Sequence, residues 1–147
     1  MSAIVVRSIA VGSCRVVHEP SGASFVTDLP PEYGGGGAAF SATDLVAAAL
    51  GVCIATNVDA VAERHGIPVD AIETRVDKAL ALAPKRIARL DVTVTIGVAV
   101  ADDVLARLER AAEHCAVHRS LHPDVAVEIR VRATPLPDAP RDAEAGR

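Results

Sequence analysis

The pattern of apolar and polar residues predicts short strands at the start of the chain. Alternating apolar positions favour strands over residues 3–11, 14–18 and 23–28, with a tight turn at Gly12 and Ser13 between the first two. Residues 29–37 contain two prolines and four consecutive glycines, a composition typical of a loop. The chain therefore begins with a small three-stranded unit and a glycine-rich connection.

A long apolar stretch follows and predicts a helix from about residue 41 to 65. Ser41 and Asp44 have the spacing of a capping box, although aspartate is a partial substitute for glutamate there. Gly66 and Pro68 predict the helix end. Up to Ala55 the helix is apolar nearly all round, which predicts burial on every face.

The second half of the chain predicts two long strands, a helix and a last strand. The strands cover residues 72–82 and 87–100 and form an antiparallel pair around a turn at Pro84 and Lys85. A helix over 104–114, a polar connector over 118–124 and a strand over 125–131 follow. Residues 134–147 predict a disordered tail, so residues 1–133 are expected to form one α+β domain.

The amino-acid composition also bears on the oligomeric state and the cellular location of the protein. Half of the 147 residues are hydrophobic, yet aromatic residues make up only 2%, so the core is built from small side chains that a second subunit could complete. A net charge of −4 argues against nucleic acid as a partner. The run over 45–55 is short for a bilayer and no signal peptide is visible, so we expect a soluble, cytoplasmic protein with reduced thiols.

Cys53 lies in the middle of the apolar helix and is either a packing residue or a nucleophile. A buried, unassisted thiol has a raised pKa and is inert. The position is also too far from the helix start for the dipole to help. Activation would therefore need an arginine or a histidine supplied by the fold.

Cys115 is the second candidate, at the end of the predicted second helix. His114 and His118 flank it, and the helix C-terminus disfavours an anion there. We expect an accessible thiol that is not primed for attack and suits reaction with an oxidised sulfur; the alternative is that it packs the helix end. Cys14 is interpreted as structural.

Two other kinds of site have partial signals in the sequence. His114, His118 and His122 recur every four residues and could share a metal ion, although a continuous helix is doubtful near Pro123. We favour a protein without a metal. The glycines at 34–37 lack a leading strand and a following lysine, so they do not predict a phosphate loop.

Several of these segments together resemble the OsmC/Ohr family, in its OsmC-like branch. The resemblance covers about residues 27–129. It rests on Asp28-x-Pro30 with the glycine loop, on the run from Ser41 to Cys53, on Arg64-His65-Gly66-Ile67, and on the run from His114 to Leu121.

The resemblance implies an OsmC-like fold, with antiparallel sheets wrapped around long central helices in an intertwined homodimer. It also implies a thiol-dependent peroxidase that reduces organic hydroperoxides in oxidative stress defence. Cys53 would be the peroxidatic cysteine and Cys115 the resolving cysteine. No cofactor is implied, and an external dithiol would restore the enzyme. No membrane or nucleic-acid partner is expected.

The sequence also departs from the family pattern. Thr43 stands where family peroxidases carry a glutamate, with Asp44 one step on, and Ala116 stands where relatives often have proline. Arg15 and then Arg7 are the nearest candidates for the thiolate-binding arginine, and His118 is a further stabilising candidate. The alternative function is a non-catalytic OsmC-like protein that binds a small hydrophobic or thiol ligand at the dimer cleft.

Overall fold

The computed structural model describes residues 3–134, and the tail predicted over 134–147 lies outside them except for Thr134. The backbone divides into two compact units, Met1–Ala48 and Ala49–Arg147. The secondary structure is mixed α and β, which confirms the predicted α+β class.

The first unit contains a three-stranded antiparallel sheet. Its strands are β1 (Ile4–Ala10), β2 (Ser13–His18) and β3 (Ser24–Thr27), in the order β1-β2-β3. All three predicted strands are confirmed within a few residues at their ends. Gly12 has a φ of +79° in the turn between β1 and β2, a conformation that glycine adopts without steric cost.

The glycine-rich connection is an ordered turn in which one glycine is sterically required. A Cβ at Gly35 would lie 1.9 Å from the carbonyl oxygen of Leu29. The Asp28 carboxylate accepts hydrogen bonds from the N–H groups of Gly36 and Ala38, both at 3.1 Å. These contacts fold the connection back on itself just before the first helix.

Helix α1 (Ala42–Arg64) begins and ends where its sequence predicts. The Ser41 N–H donates to the Asp44 carboxylate at 2.8 Å and the Asp44 N–H donates to the Ser41 hydroxyl at 3.2 Å, so the capping box forms with aspartate. At the other end Gly66 has a φ of +62° and Ile67 N–H donates to the Ala62 carbonyl at 2.9 Å. That is a Schellman-type end built on glycine.

The second unit contains a three-stranded sheet whose topology differs from the purely antiparallel expectation. Strands β4 (Ile72–Leu82) and β5 (Lys85–Ile96) are antiparallel, whereas β6 (Ala126–Ala133) pairs with β5 in parallel. The chain returns to β6 through two helices, α2 (Asp102–Glu113) and α3 (Ala116–Ser120), and such a crossover allows parallel pairing.

One strand end and one short helix in this unit also differ from the sequence expectation. Strand β5 ends four residues early, because Gly97 leaves the ladder and its N–H donates to the Ala71 carbonyl at 2.8 Å. Helix α3 was not predicted: its last three residues lie in the polar connector expected over 118–124, and one turn is too short for a hydrophobic period to be visible.

The core of the second unit is buried between one face of α1, strand β5 and helix α2. Gly51 lets α1 approach β4 closely, since a Cβ there would lie 3.1 Å from Val76 Cγ2. The fully or nearly fully buried apolar side chains are Leu50, Ile54, Val58, Ala62, Leu90, Val92, Val94, Ile96, Leu108 and Ala112.

Only one face of α1 is buried within a single chain, which differs from the predicted burial on every face. Ile54 has no exposed surface, whereas Val52 is 64% exposed. By length and composition α1 could cross a bilayer, but the core helix of a soluble protein meets the same criteria. The exposed face therefore shows apolar surface that is not covered by any of residues 3–134.

Candidate active site

Helix α1 and the start of helix α3 bring Cys53 and Cys115 together within the second unit. Both cysteines are free thiols. The Cys53 sulfur receives hydrogen bonds from the Cys115 side chain and from the backbone N–H groups of Ala116 and Val117. Three neutral donors from one short segment thus converge on one sulfur atom.

These donors decide the ionisation of Cys53. Burial is the largest single influence and favours the neutral thiol. The hydrogen bonds from Cys115, Val117 and Ala116 together outweigh it, so the pKa of Cys53 lies below that of an ordinary thiol. Because a hydrogen bond to the charged form stabilises that form, Cys53 is the better thiolate of the pair.

The pKa of Cys115 is shifted in the opposite direction, above that of an ordinary thiol. Burial, the hydrogen bond to Cys53 and the charge on Cys53 all raise the pKa of Cys115, while the N–H groups of His118 and Val117 act against this. Its side chain has no exposed surface. The two thiols therefore titrate as a coupled pair in which Cys53 loses its proton first.

The position of Cys115 follows from its place at the junction of two helices. It is the N-cap residue of α3, and its sulfur accepts a hydrogen bond from the His118 N–H at 3.5 Å. Asn57 of α1 donates from Nδ2 to the His114 carbonyl at 2.9 Å. The junction is thus bonded to α1 one turn beyond Cys53.

Two expectations about these cysteines need correction or addition. Cys115 was expected to be accessible, but it is buried as the N-cap residue of α3, a helix that was not predicted. The donors that lower the pKa of Cys53 include backbone N–H groups, in addition to the side chains that the sequence suggested. No local signal around Cys53 points to them, since they come from a distant segment.

The other stabilising candidates belong to other local structures. Arg7 and Arg15 face each other across the β1–β2 pair in the first unit. Asp44 accepts from the Ser41 hydroxyl at 2.6 Å, and the Thr43 hydroxyl lies 3.2 Å from that of Ser41. Their action on Cys53 stays a prediction.

Two of the three histidines of the alternative metal site make other contacts. His114 Nδ1 lies 2.6 Å from the Arg110 carbonyl, and His122 Nδ1 accepts from the Asp124 N–H at 3.2 Å. Over residues 3–134, no group of three or more His, Cys, Asp or Glu side chains is arranged to hold a metal ion. The geometry thus gives the metal alternative no support.

Comparison with known proteins identifies the class to which this fold and site belong. The family model for OsmC-like proteins matches residues 34–130, about two thirds of the chain. The chain belongs to the OsmC family. The resemblance seen in the sequence is therefore confirmed.

Solved structures share the fold over nearly the whole chain. A Psychrobacter arcticus protein, described in terms of osmotic stress induction and detoxification response, is 26% identical with a TM-score of 0.85, covering 90% of this chain and 96% of its own. OsmC of Legionella pneumophila, an organic hydroperoxide resistance protein, is 16% identical with a TM-score of 0.74, over 92% and 97%.

A third solved structure also shares the fold. OhrB of Bacillus subtilis, an organic hydroperoxide resistance protein, is 17% identical with a TM-score of 0.66, covering 90% of this chain and 98% of its own. A search of curated proteins finds no match to the sequence. The OsmC-like fold is thus shown by structures of low identity.

Proposed function

We propose that this protein is a thiol-dependent peroxidase that reduces organic hydroperoxides through Cys53 and Cys115. The observation that carries the proposal is the contact between the two thiols, with the pKa of Cys53 lowered and that of Cys115 raised. A peroxidase of this kind needs one sulfur that ionises early and a second sulfur within reach of it.

The first half-reaction uses Cys53. Its thiolate attacks the terminal oxygen of the hydroperoxide, a sulfur–oxygen bond forms and the O–O bond breaks. The alkoxide that leaves takes a proton from solvent and becomes an alcohol. Cys53 is oxidised to a sulfenic acid, and the peroxide is reduced by two electrons.

The second half-reaction uses Cys115 and an external dithiol. The Cys115 sulfur attacks the sulfenic sulfur of Cys53, a disulfide forms, and the Cys115 proton and the departing hydroxide leave as water. A dithiol then reduces this disulfide by thiol–disulfide exchange and is itself oxidised to a disulfide. The raised pKa of Cys115 keeps it protonated until the sulfenic acid is present.

Likeness to hydroperoxide resistance proteins supports the substrate class. The Legionella pneumophila and Bacillus subtilis structures share the fold, and both are described by resistance to organic hydroperoxides. We extend to this chain an organic hydroperoxide as substrate, a role in oxidative stress and a location in the cytoplasm. The chemistry uses two sulfurs and needs no cofactor of its own.

We further propose that the protein is a homodimer joined along the exposed face of α1. Ala49, Val52, Thr56 and Ala60 follow one another at helical spacing and are all exposed in the single chain. Small side chains allow two helices to approach closely, and burial of this stripe would remove apolar surface from water. A second copy supplies a surface of matching shape.

Replacing Val52 with aspartate should separate the two subunits. Val52 is 64% exposed in one chain, so the substitution spares the chain's own core. A carboxylate buried in the dimer would cost several kcal/mol and weaken association by about a hundredfold or more. Sedimentation over a concentration series measures this, with Leu82→Asp, 80% exposed on β4, as the matched control. Unchanged association of the Val52→Asp protein would refute the interface.

The peroxidase proposal predicts a fixed stoichiometry for the unmodified protein. Mixing the reduced protein with one equivalent of cumene hydroperoxide should consume the peroxide, release one cumyl alcohol and remove two of the three thiols per chain. Peptide mapping should find the new disulfide between Cys53 and Cys115, with Cys14 still reduced. Added dithiol should restore both thiols and permit further turnover.

A different outcome of that experiment supports the binding alternative. If the hydroperoxide persists and all three thiols remain while a hydrophobic ligand binds, the chain is a binding protein of the same fold. Loss of thiols without production of alcohol would indicate unspecific oxidation. Either result overturns the peroxidase proposal.

A further inference from the structure

Asn57 forms the bond that ties α1 to the segment carrying Cys115. It lies four residues after Cys53, so the two side chains project from the same face of α1, about 6 Å apart along its axis. Its Nδ2 atom donates to the His114 carbonyl at 2.9 Å, across a sequence separation of 57 residues. One face of the helix therefore contacts two neighbouring points of the same distant segment.

The accepting carbonyl is placed where its orientation matters. His114 is the C-cap residue of α2, with φ −91° and ψ 43°, and the last carbonyls of a helix lack donors within it. Its C=O belongs to the same planar peptide group as the Cys115 nitrogen. A hydrogen bond that fixes this carbonyl therefore also fixes the peptide plane from which Cys115 and α3 continue.

We propose that Asn57 is a positioning residue for Cys53. By holding the His114–Cys115 peptide, its amide keeps the Cys115 thiol and the N–H groups of Ala116 and Val117 directed at the Cys53 sulfur. The benefit to hydroperoxide reduction rests on the function proposed above. The effect on the Cys53 thiol does not, because ionisation can be measured without turnover.

The contacts give Asn57 a role that a packing residue would not have. Cys53 receives hydrogen bonds from the Cys115 side chain and from two backbone N–H groups of the following residues, and all three start within a few bonds of the His114 carbonyl. Hydrogen bonds weaken steeply with distance and misalignment. A small rotation of the His114–Cys115 peptide would therefore weaken several hydrogen bonds to the Cys53 sulfur at once.

The test uses substitutions that separate loss of the donor from loss of volume. Asn57→Leu keeps a similar size and removes the donor without adding a charge near Cys53. Asn57→Ala removes the contact. Arg86→Met is the matched control, because the exposed Arg86 side chain on β5 also donates to a distant backbone carbonyl, that of Asp124, at 3.0 Å. All proteins carry Cys14→Ser, so that alkylation reports on the site.

The measurement is the rate of Cys53 alkylation by iodoacetamide as a function of pH, with the modified peptide identified by mass. In the parent protein the midpoint should fall below that of an ordinary thiol. In both Asn57 variants it should rise by about half to one pH unit, which lowers the alkylation rate at pH 7 about three- to tenfold. Arg86→Met should keep the parent profile.

A second readout shows whether the segment has moved. Amide hydrogen exchange over residues 114–120 should accelerate in the Asn57 variants and stay unchanged in Arg86→Met. Faster exchange with an unchanged alkylation midpoint would overturn the proposal, because Asn57 would then hold the segment without acting on Cys53. An unchanged midpoint with unchanged exchange overturns it equally. Should Asn57→Ala fail to fold, the near-isosteric and uncharged Asn57→Leu decides between these outcomes.

The two proposals fail in different ways. A shifted midpoint in a protein that never consumes hydroperoxide would support the role of Asn57 and refute the peroxidase. Full peroxidase activity with an unshifted midpoint would do the reverse. The titratable partner in contact with Cys53 is the Cys115 thiol, whose raised pKa keeps it neutral over the lower part of the profile.

Discussion

Replacing Cys53 with serine is expected to lower the rate of cumene hydroperoxide consumption by about a thousandfold or more, as loss of a nucleophile does in other enzymes. A serine hydroxyl stays protonated at neutral pH, and it cannot form a sulfenic acid. The hydrogen bonds that lower the pKa of the Cys53 thiol would then act on a group that does not ionise. Stopped-flow measurement of peroxide loss gives the rate.

Two further variants separate the steps of the same reaction. Cys115→Ser should retain the first oxidation, because its hydroxyl can still donate to Cys53, but the sulfenic acid should persist and be trapped by dimedone. Turnover with a dithiol should slow. Cys14→Ser, in strand β2, should match the parent protein. Equal rates in the Cys53→Ser and parent proteins would contradict the proposed nucleophile.

Much of the fold could be predicted because its signals are local. The capping box at Ser41 and Asp44 and the stop at Gly66 lie within a few residues of the helix ends that they determine. The strands of the first unit follow from alternation and from a turn at Gly12. Features set by neighbours in the sequence were therefore predicted to within a few residues.

Features that depend on distant segments could not be predicted in the same way. The parallel pairing of β6 with β5 depends on the path of the chain through α2 and α3. No periodicity in a single strand shows the direction of its neighbour. The sequence therefore supported an α+β class and the antiparallel pairing of β4 with β5, and it did not indicate that β6 pairs in parallel.

In the candidate site, too, locally determined features could be predicted and features that depend on distant segments could not. The sequence placed Cys53 on an apolar helix and Cys115 near a helix end, and the family resemblance joined them. The donors that lower the pKa of Cys53 were missed because α3 is a single turn beginning at Ala116. Backbone N–H groups are present at every residue except proline, so the side-chain sequence does not show where they converge.

Replacing Ile54, on the buried face of α1, with alanine is expected to have a large effect on stability. Ile54 has no exposed surface and Val52, two residues earlier, is 64% exposed. Ile54→Ala should lower the free energy of unfolding by about 2–5 kcal/mol, since it removes buried methyl groups and leaves a cavity. Urea unfolding followed by circular dichroism measures the change.

The matched control is Leu82→Ala, which removes a similar volume from a side chain that is 80% exposed. Its free energy of unfolding should change by about 0.5 kcal/mol or less. The slope of the unfolding transition should stay the same in both proteins if each unfolds in one step. A small loss for Ile54→Ala would mean that this face of α1 collapses around the cavity or is less tightly packed than its burial indicates. Because Ile54 and Cys53 are consecutive on the helix, the alkylation profile of Ile54→Ala would also show whether core packing fixes the thiol.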